Sequence, residues 1–105
     1  MHASVTSFQI KNDQVDEAIK VYRDEVIPLR QTAKDSQGEV YFPCGGYLLV
    51  DRNTGKGIAI TLWPSREEVT RGEKSHYYEE PKSKFKSYFA SHHVDLGIYE
   101  VCTQG

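Results

Sequence analysis

The sequence predicts an α+β fold in the order strand, helix, strand, strand, helix, strand, and three observations carry that prediction. An apolar stripe at spacings of three and four residues runs through Val15, Ala18, Ile19, Tyr22, Val26 and Leu29. Residues 57–63 form a strand-like run with little polarity on either face. Directly after it, Pro64 stops the strand and Ser65-Arg66-Glu67-Glu68 reads as a capping box that opens a second helix.

Residues 3–10 read as the first strand: Val5, Thr6, Phe8 and Ile10 favour extended backbone, and Lys11-Asn12-Asp13 ends the run. Asp13 is the expected N-cap of helix one. Asp16 and Glu17 stand in its first turn, where the helix dipole favours acid. Lys20, Asp24 and Gln31 lie opposite the apolar stripe. Pro28 falls inside the stripe, removes one backbone donor and should bend the helix near Asp24. The helix is expected to end by Ala33 or Lys34.

Residues 34–46 read as a loop punctuated by Ser36, Gly38, Pro43, Gly45 and Gly46, with Val40-Tyr41-Phe42 as an apolar island. Residues 47–51 and 57–63 are the next two strands, joined by a short hairpin in which Gly55 supplies positive φ. On the second of them, Ile58, Ile60 and Leu62 share one face, and Ala59, Thr61 and Trp63 share the other. Such a strand belongs in the middle of a sheet and covered on both sides.

The second helix has a weak stripe of Val69, Gly72, His76 and Tyr77, and Pro81 is expected to interrupt it. A second helical piece with Phe85, Tyr88 and Phe89 should follow, and then a last strand over residues 94–102. This order is that of a ferredoxin-like fold with a four-stranded antiparallel sheet and its helices on one face. The apolar residues expected on the other face call for a cover, and self-association through that open face is the simplest one.

At 105 residues the chain is expected to form a single domain over 1–105. A net charge of −2 gives no basic field for nucleic acid. No apolar run approaches the ~18 residues of a membrane span. The start, Met1-His2-Ala3-Ser4, lacks the basic and apolar regions of a signal peptide, so a cytoplasmic location is expected. Cys44 and Cys102 are too few for a disulfide framework and read as free thiols.

With these elements in place, the chain resembles the antibiotic-biosynthesis-monooxygenase group of dimeric α+β barrel proteins. The stretches that carry the resemblance are Val26-Ile27-Pro28-Leu29-Arg30, Gly46-Tyr47-Leu48-Leu49-Val50-Asp51-Arg52, Gly55-Lys56-Gly57 and Thr61-Leu62-Trp63-Pro64-Ser65 with Glu67-Glu68. The resemblance implies a homodimer whose two sheets close a barrel, with a pocket between sheet and helices in each subunit. The family includes cofactor-free monooxygenases acting on aromatic polyketides, quinol oxygenases and haem-degrading enzymes. Its haem-degrading members use an asparagine on the first strand, a tryptophan ending the third and a histidine on the second helix. Trp63 matches the tryptophan and His76 is similarly placed to the histidine. Residues 3–10 contain no asparagine, which points away from haem degradation.

His76 is the candidate catalytic residue: an imidazole in an apolar cleft can take a phenolic proton, and the phenolate can then react with oxygen without a cofactor. Trp63, Tyr22, Tyr47, Tyr77, Phe85 and Tyr88 are candidate substrate-binding residues for a small hydrophobic or aromatic molecule. Core packing is the competing role for each of them. Tyr78 is a further tyrosine of the same kind.

Glu73-x-x-His76 is half of a carboxylate–imidazole metal motif, and no second half follows, so no metal or other cofactor is expected. The adjacent His92 and His93 would point to opposite faces of a strand. Cys44-Gly45-Gly46 has no activating base nearby in sequence. The basic run of residues 82–86 is offset by Glu79 and Glu80. Neither a phosphate-binding glycine loop nor a nucleophile elbow occurs. The sequence thus favours a small enzyme of the cofactor-independent monooxygenase kind, with a non-catalytic ligand-binding or stress-related protein, or a haem protein, as the alternatives.

Overall fold

Strand β1 (His2–Gln9) runs antiparallel to two neighbours at once. On one side it pairs with β3 (Lys56–Trp63), and on the other with β4 (Asp95–Glu100). The fourth strand, β2 (Gly45–Val50), pairs antiparallel with β3 through the expected turn, so the sheet order is β2-β3-β1-β4. The computed structural model describes residues 1–30, 45–73, 79–91 and 93–105. The expected loop 34–46 lies outside them up to residue 44, including the apolar island Val40-Tyr41-Phe42. Cys44, Tyr78 and His92 lie outside them as well. Gly45 and Gly46 belong to β2 rather than to the loop. Gly55 has the predicted left-handed backbone, with φ +77.

The register sorts the sheet into two unlike faces. Phe8, Leu48, Val50 and Ala59 turn toward the helices and pack with Ile10, Val15, Ala18, Val21, Tyr22, Val26 and Phe85. Gly57 lies between Phe8 and Val50 in the register, and a Cβ there would run into the Phe8 ring. The other face carries Tyr47, Leu49, Val5, Ile58, Ile60, Leu62 and Tyr99. Tyr99 lies over Gly97, where any Cβ would meet its ring. Tyr47 and Tyr99 remain 62% and 58% exposed. The two-sided apolar strand is therefore central, as its composition requires, with one face covered by helices and the other open.

The first helical segment differs from the expected one at both points where a special residue acts. Asp13 is not an N-cap: it lies within a 3-10 turn, Asn12–Gln14, and no side chain caps the helix start. Helix α1 (Val15–Val21) then leads into a π turn, Tyr22–Val26, before α2 (Ile27–Arg30). The Ile27 amide donates to the Tyr22 carbonyl, five residues back. Pro28 explains the widening. It has no amide to give the carbonyl of Asp24, and its ring would crowd that carbonyl in a regular α turn. One extra residue per turn removes the conflict while Tyr22 and Val26 stay buried.

Helix α3 (Arg66–Glu73) opens as the capping box predicts. The Ser65 Oγ accepts the Glu68 amide at 3.3 Å. The Glu67 carboxylate also stands at this helix start: hydrogen bonds from its own amide and from the Ser65 hydroxyl hold its pKa below the ordinary value. Helix α4 (Glu79–Lys86) contains Pro81 in its first turn, where no amide partner is needed, so this proline begins a helix instead of interrupting one. Tyr88 and Phe89 follow α4 rather than continue it. The Tyr88 carbonyl accepts the Lys11 amide, and Phe89 forms a β-bridge with Ile10.

Candidate functional site

The helix α1, the π turn and α2 cross the helix-facing side of the sheet near its β2 edge. Between them and β2 opens a cleft of about 280 Å³. Its walls are Ile19, Tyr22 and Ile27 from the helical side and Leu48 and Val50 from the strand. Arg23 and Arg52 complete its lining. The construction is legible in the local geometry. Leu48 and Val50 alternate along β2 and so share a face, and Arg52 follows them in the turn after the strand. Ile19, Arg23 and Ile27 recur every four residues, which stacks them along one side of a helix.

Tyr22 is the predicted site residue that the structure brings to this cleft. Its ring is 4% exposed and packs at 5.1 Å from Phe85. Phe85 in turn meets Phe8 and Phe89 edge-on at 5.4 and 5.3 Å, and Phe8 stacks on Phe89 at 4.5 Å. Such offset and edge contacts add to the burial of each ring. Phe85 thus sits behind Tyr22, inside an aromatic cluster that fixes the cleft wall.

The other candidates fall elsewhere. Trp63 is 1% exposed at the far end of β3, and its indole Nε1 donates to the Ser4 Oγ at 3.2 Å. Tyr88 is half-buried beside a separate groove between α1, the π turn and α4, bridged by the Lys84–Glu25 pair at 2.8 Å. Tyr47 points out of the opposite, open face of the sheet, so the sheet separates it from Tyr22 and Phe85. His76 and Tyr77 lie outside the described residues. Among the described residues, no group of three or more His, Cys, Asp and Glu side chains is gathered as for a metal ion. Cys102 is an exposed free thiol, and His93 pairs with Asp95 at 3.1 Å on the surface.

Sequence reading missed the two arginines; for Arg23 the signal was its spacing of four from Ile19 and Ile27, and Arg52, in the turn, carried no periodic signal. Arg52 donates from Nη1 to Asp16 at 2.7 Å, linking the β2–β3 turn to α1. Arg23 donates from Nε and Nη2 to Asp24 at 2.9 and 3.3 Å. The Arg23 hydrogen bond lowers the Asp24 pKa, and the Asp24 hydrogen bond raises that of Arg23. Both pairs are exposed, so each holds its geometry only weakly against a competing anion.

This architecture, an antiparallel β2-β3-β1-β4 sheet with helices on one face, is the ferredoxin-like fold shared by structures described as antibiotic biosynthesis monooxygenases. One such crystal structure superposes with a TM-score of 0.71 at 16% identity, covering 98% of this chain and 100% of that one. SnoaB, a cofactor-independent oxygenase from Streptomyces nogalater, superposes in a mutant form at 0.65 with 12% identity, over 98% of this chain and 94% of its own. An uncharacterized NIPSNAP domain protein from Burkholderia xenovorans superposes at 0.64 with 13% identity, over 99% and 100%. Identities this low establish a common fold. No family model matches the sequence, and no curated protein matches it. No helix among the described residues is long and apolar enough to cross a membrane.

Proposed function

We propose that residues 1–105 form one domain of the antibiotic-biosynthesis-monooxygenase family and act in the cytoplasm as a homodimeric, cofactor-independent monooxygenase on a small aromatic or quinol-type substrate. The observation that carries this reading is the apolar cleft between helix and sheet, walled by Tyr22 and backed by the Phe85 cluster, in a fold shared with a cofactor-independent oxygenase. A flat ring would lie against Ile19, Ile27, Leu48 and Val50, with Tyr22 at its side.

In this reading His76 is the base. It takes the phenolic proton, and the resulting electron-rich ring system passes electrons to dioxygen. One oxygen atom ends in the product carbonyl, replacing two hydrogens, and the other leaves as water. Tyr77 neighbours the base in sequence, and Phe85 backs Tyr22 from the packed interior, while Trp63 and Tyr88 pack away from the cleft and serve the fold. Tyr47 serves the open face, where Tyr47, Leu49, Ile60 and Tyr99 meet the second copy.

The test is oxygen uptake with a panel of naphthalene and anthracene phenols and hydroquinones, each corrected for autoxidation. The expected result is enzyme-dependent uptake with one oxygen consumed per product, reduced by roughly a hundredfold or more in His76→Ala, as for loss of a general base. Substrate-independent uptake, or full turnover by the alanine variant, would refute the mechanism. Tight binding without uptake would favour a non-catalytic ligand-binding protein, for which the same cleft is the supporting observation.

A further inference from the structure

We infer that the cleft selects an anionic ligand: a flat apolar body carrying one carboxylate-like group, which Arg52 and Arg23 hold at the rim. This rests on the reading that the cleft between helix and sheet is the ligand site, and it specifies which aromatic molecules that site accepts.

The argument is one of charge and geometry. The described lining consists of five apolar or aromatic side chains and two guanidinium groups, and no carboxylate belongs to it. An uncharged hydrocarbon ligand would bury the inner wall and make no contact that uses the charge of either arginine. A ligand with a terminal anion satisfies both parts at once, because guanidinium presents several donors in a plane that matches a carboxylate.

The present partners of these arginines do not block that role. Asp16 takes one nitrogen of Arg52, and its pair is exposed, with side chains 63% and 81% accessible. Asp24 lies next to Arg23 in sequence and holds it at the helix surface, with side chains 64% and 47% accessible in the order arginine, aspartate. Pairs of this kind contribute little in water. A ligand whose ring is already anchored in the cleft presents its anion at high local concentration, so it competes well for the guanidinium donors. The two aspartates then act as holders that keep the arginines at the rim when the cleft is empty.

The position of Arg52 adds a second consequence. It stands at the β2–β3 turn and reaches α1, so an anion bound there would tie the hairpin to the helix across the cleft mouth. Ligand binding should therefore depend on Arg52 more than on Arg23, whose aspartate partner is its chain neighbour.

The experiment compares two probes that differ only in charge, 2-naphthoate and 2-naphthylmethanol, by calorimetric titration at low and high salt. Naphthoate is expected to bind roughly tenfold tighter at low salt, as for a charge-assisted contact. That preference should shrink at high salt. In the double variant Arg23→Gln, Arg52→Gln the ratio of the two affinities should fall to about one. Equal affinities for the two probes, or a preference that survives in the double variant or is insensitive to salt, would overturn the inference. A Val50→Trp variant, checked for folding by circular dichroism, separates the two levels of the argument. If it abolishes binding of both probes and the acid is not preferred in the unmodified protein, the cleft stands and the anion selectivity falls. If both probes bind it unchanged, the cleft is not the ligand site and both fall.

Discussion

The Trp63 indole and the Ser4 hydroxyl meet at 3.2 Å in the buried layer between the sheet and α3, joining the end of β3 to β1. Val69 of α3 is fully buried on the same side of the sheet. The bond joins two polar groups where water is excluded, so its loss should be measurable. Ser4→Ala is expected to lower unfolding free energy by about 1 kcal/mol, and Trp63→Ala by about 3–5 kcal/mol. Because Trp63 is the one tryptophan of the chain, its emission reports this layer directly in the serine variant. Denaturant titration followed by fluorescence and circular dichroism checks both values. A Trp63→Ala protein as stable as the parent would show that the indole is not part of the core.

The open sheet face gives the second prediction. Ile60 lies in its middle, opposite Val5 on β1 and Tyr47 on β2. If two copies close this face, a lysine at Ile60 places a charge inside the interface, which costs several kcal/mol when unpaired. Native mass spectrometry should find a dimer for the parent chain and a monomer for Ile60→Lys at micromolar concentration. A parent chain that is monomeric throughout would mean that the face is not a self-association surface.

The third prediction concerns acid. Glu67 is held below its ordinary pKa by hydrogen bonds from its own amide and from Ser65, aided by His2 and Arg66. A carboxylate whose pKa is lowered on folding contributes its stability above the unfolded pKa, and that contribution is lost as pH falls through the folded value. The start of α3 should therefore loosen as pH drops from about 5 toward about 3. Glu67→Gln should be the less stable protein near neutrality, and the difference should shrink across that acid range. Urea titrations at several pH values test this. A difference independent of pH would remove Glu67 from the acid response.

The sequence made the architecture readable because its strongest patterns have single physical meanings. The two-faced run of residues 57–63 specified a central strand, and Ser65 specified a helix start through a bond that the structure shows. Prolines were harder to read. Pro28 and Pro81 both forbid one backbone bond, but the chain answered the first by widening a turn and the second by beginning a helix. Sequence alone does not say which neighbour will yield.

The cleft was half legible. Tyr22 followed from the apolar stripe, because the stripe must face the sheet. Arg23 and Arg52 did not, because a search for buried aromatic residues passes over charged groups at a rim. Tyr47 is also instructive: period two fixed that it alternates with Leu48, but only the pairing partners show which face of the sheet each one takes.

The π turn of Tyr22–Val26 carries a consequence for comparing this chain with others. It inserts one residue into a helix that crosses the cleft, with Tyr22 and Ile27 on either side of the insertion. Any relative that spans the same distance with a regular α-helix will need a gap at this point. An ungapped match across it would align Ile27 and everything after it one place out of step, pairing cleft residues with surface ones. Homology searches for this protein should permit a single deletion between Tyr22 and Ile27, and the gain in score that it brings would sort relatives by the shape of their clefts.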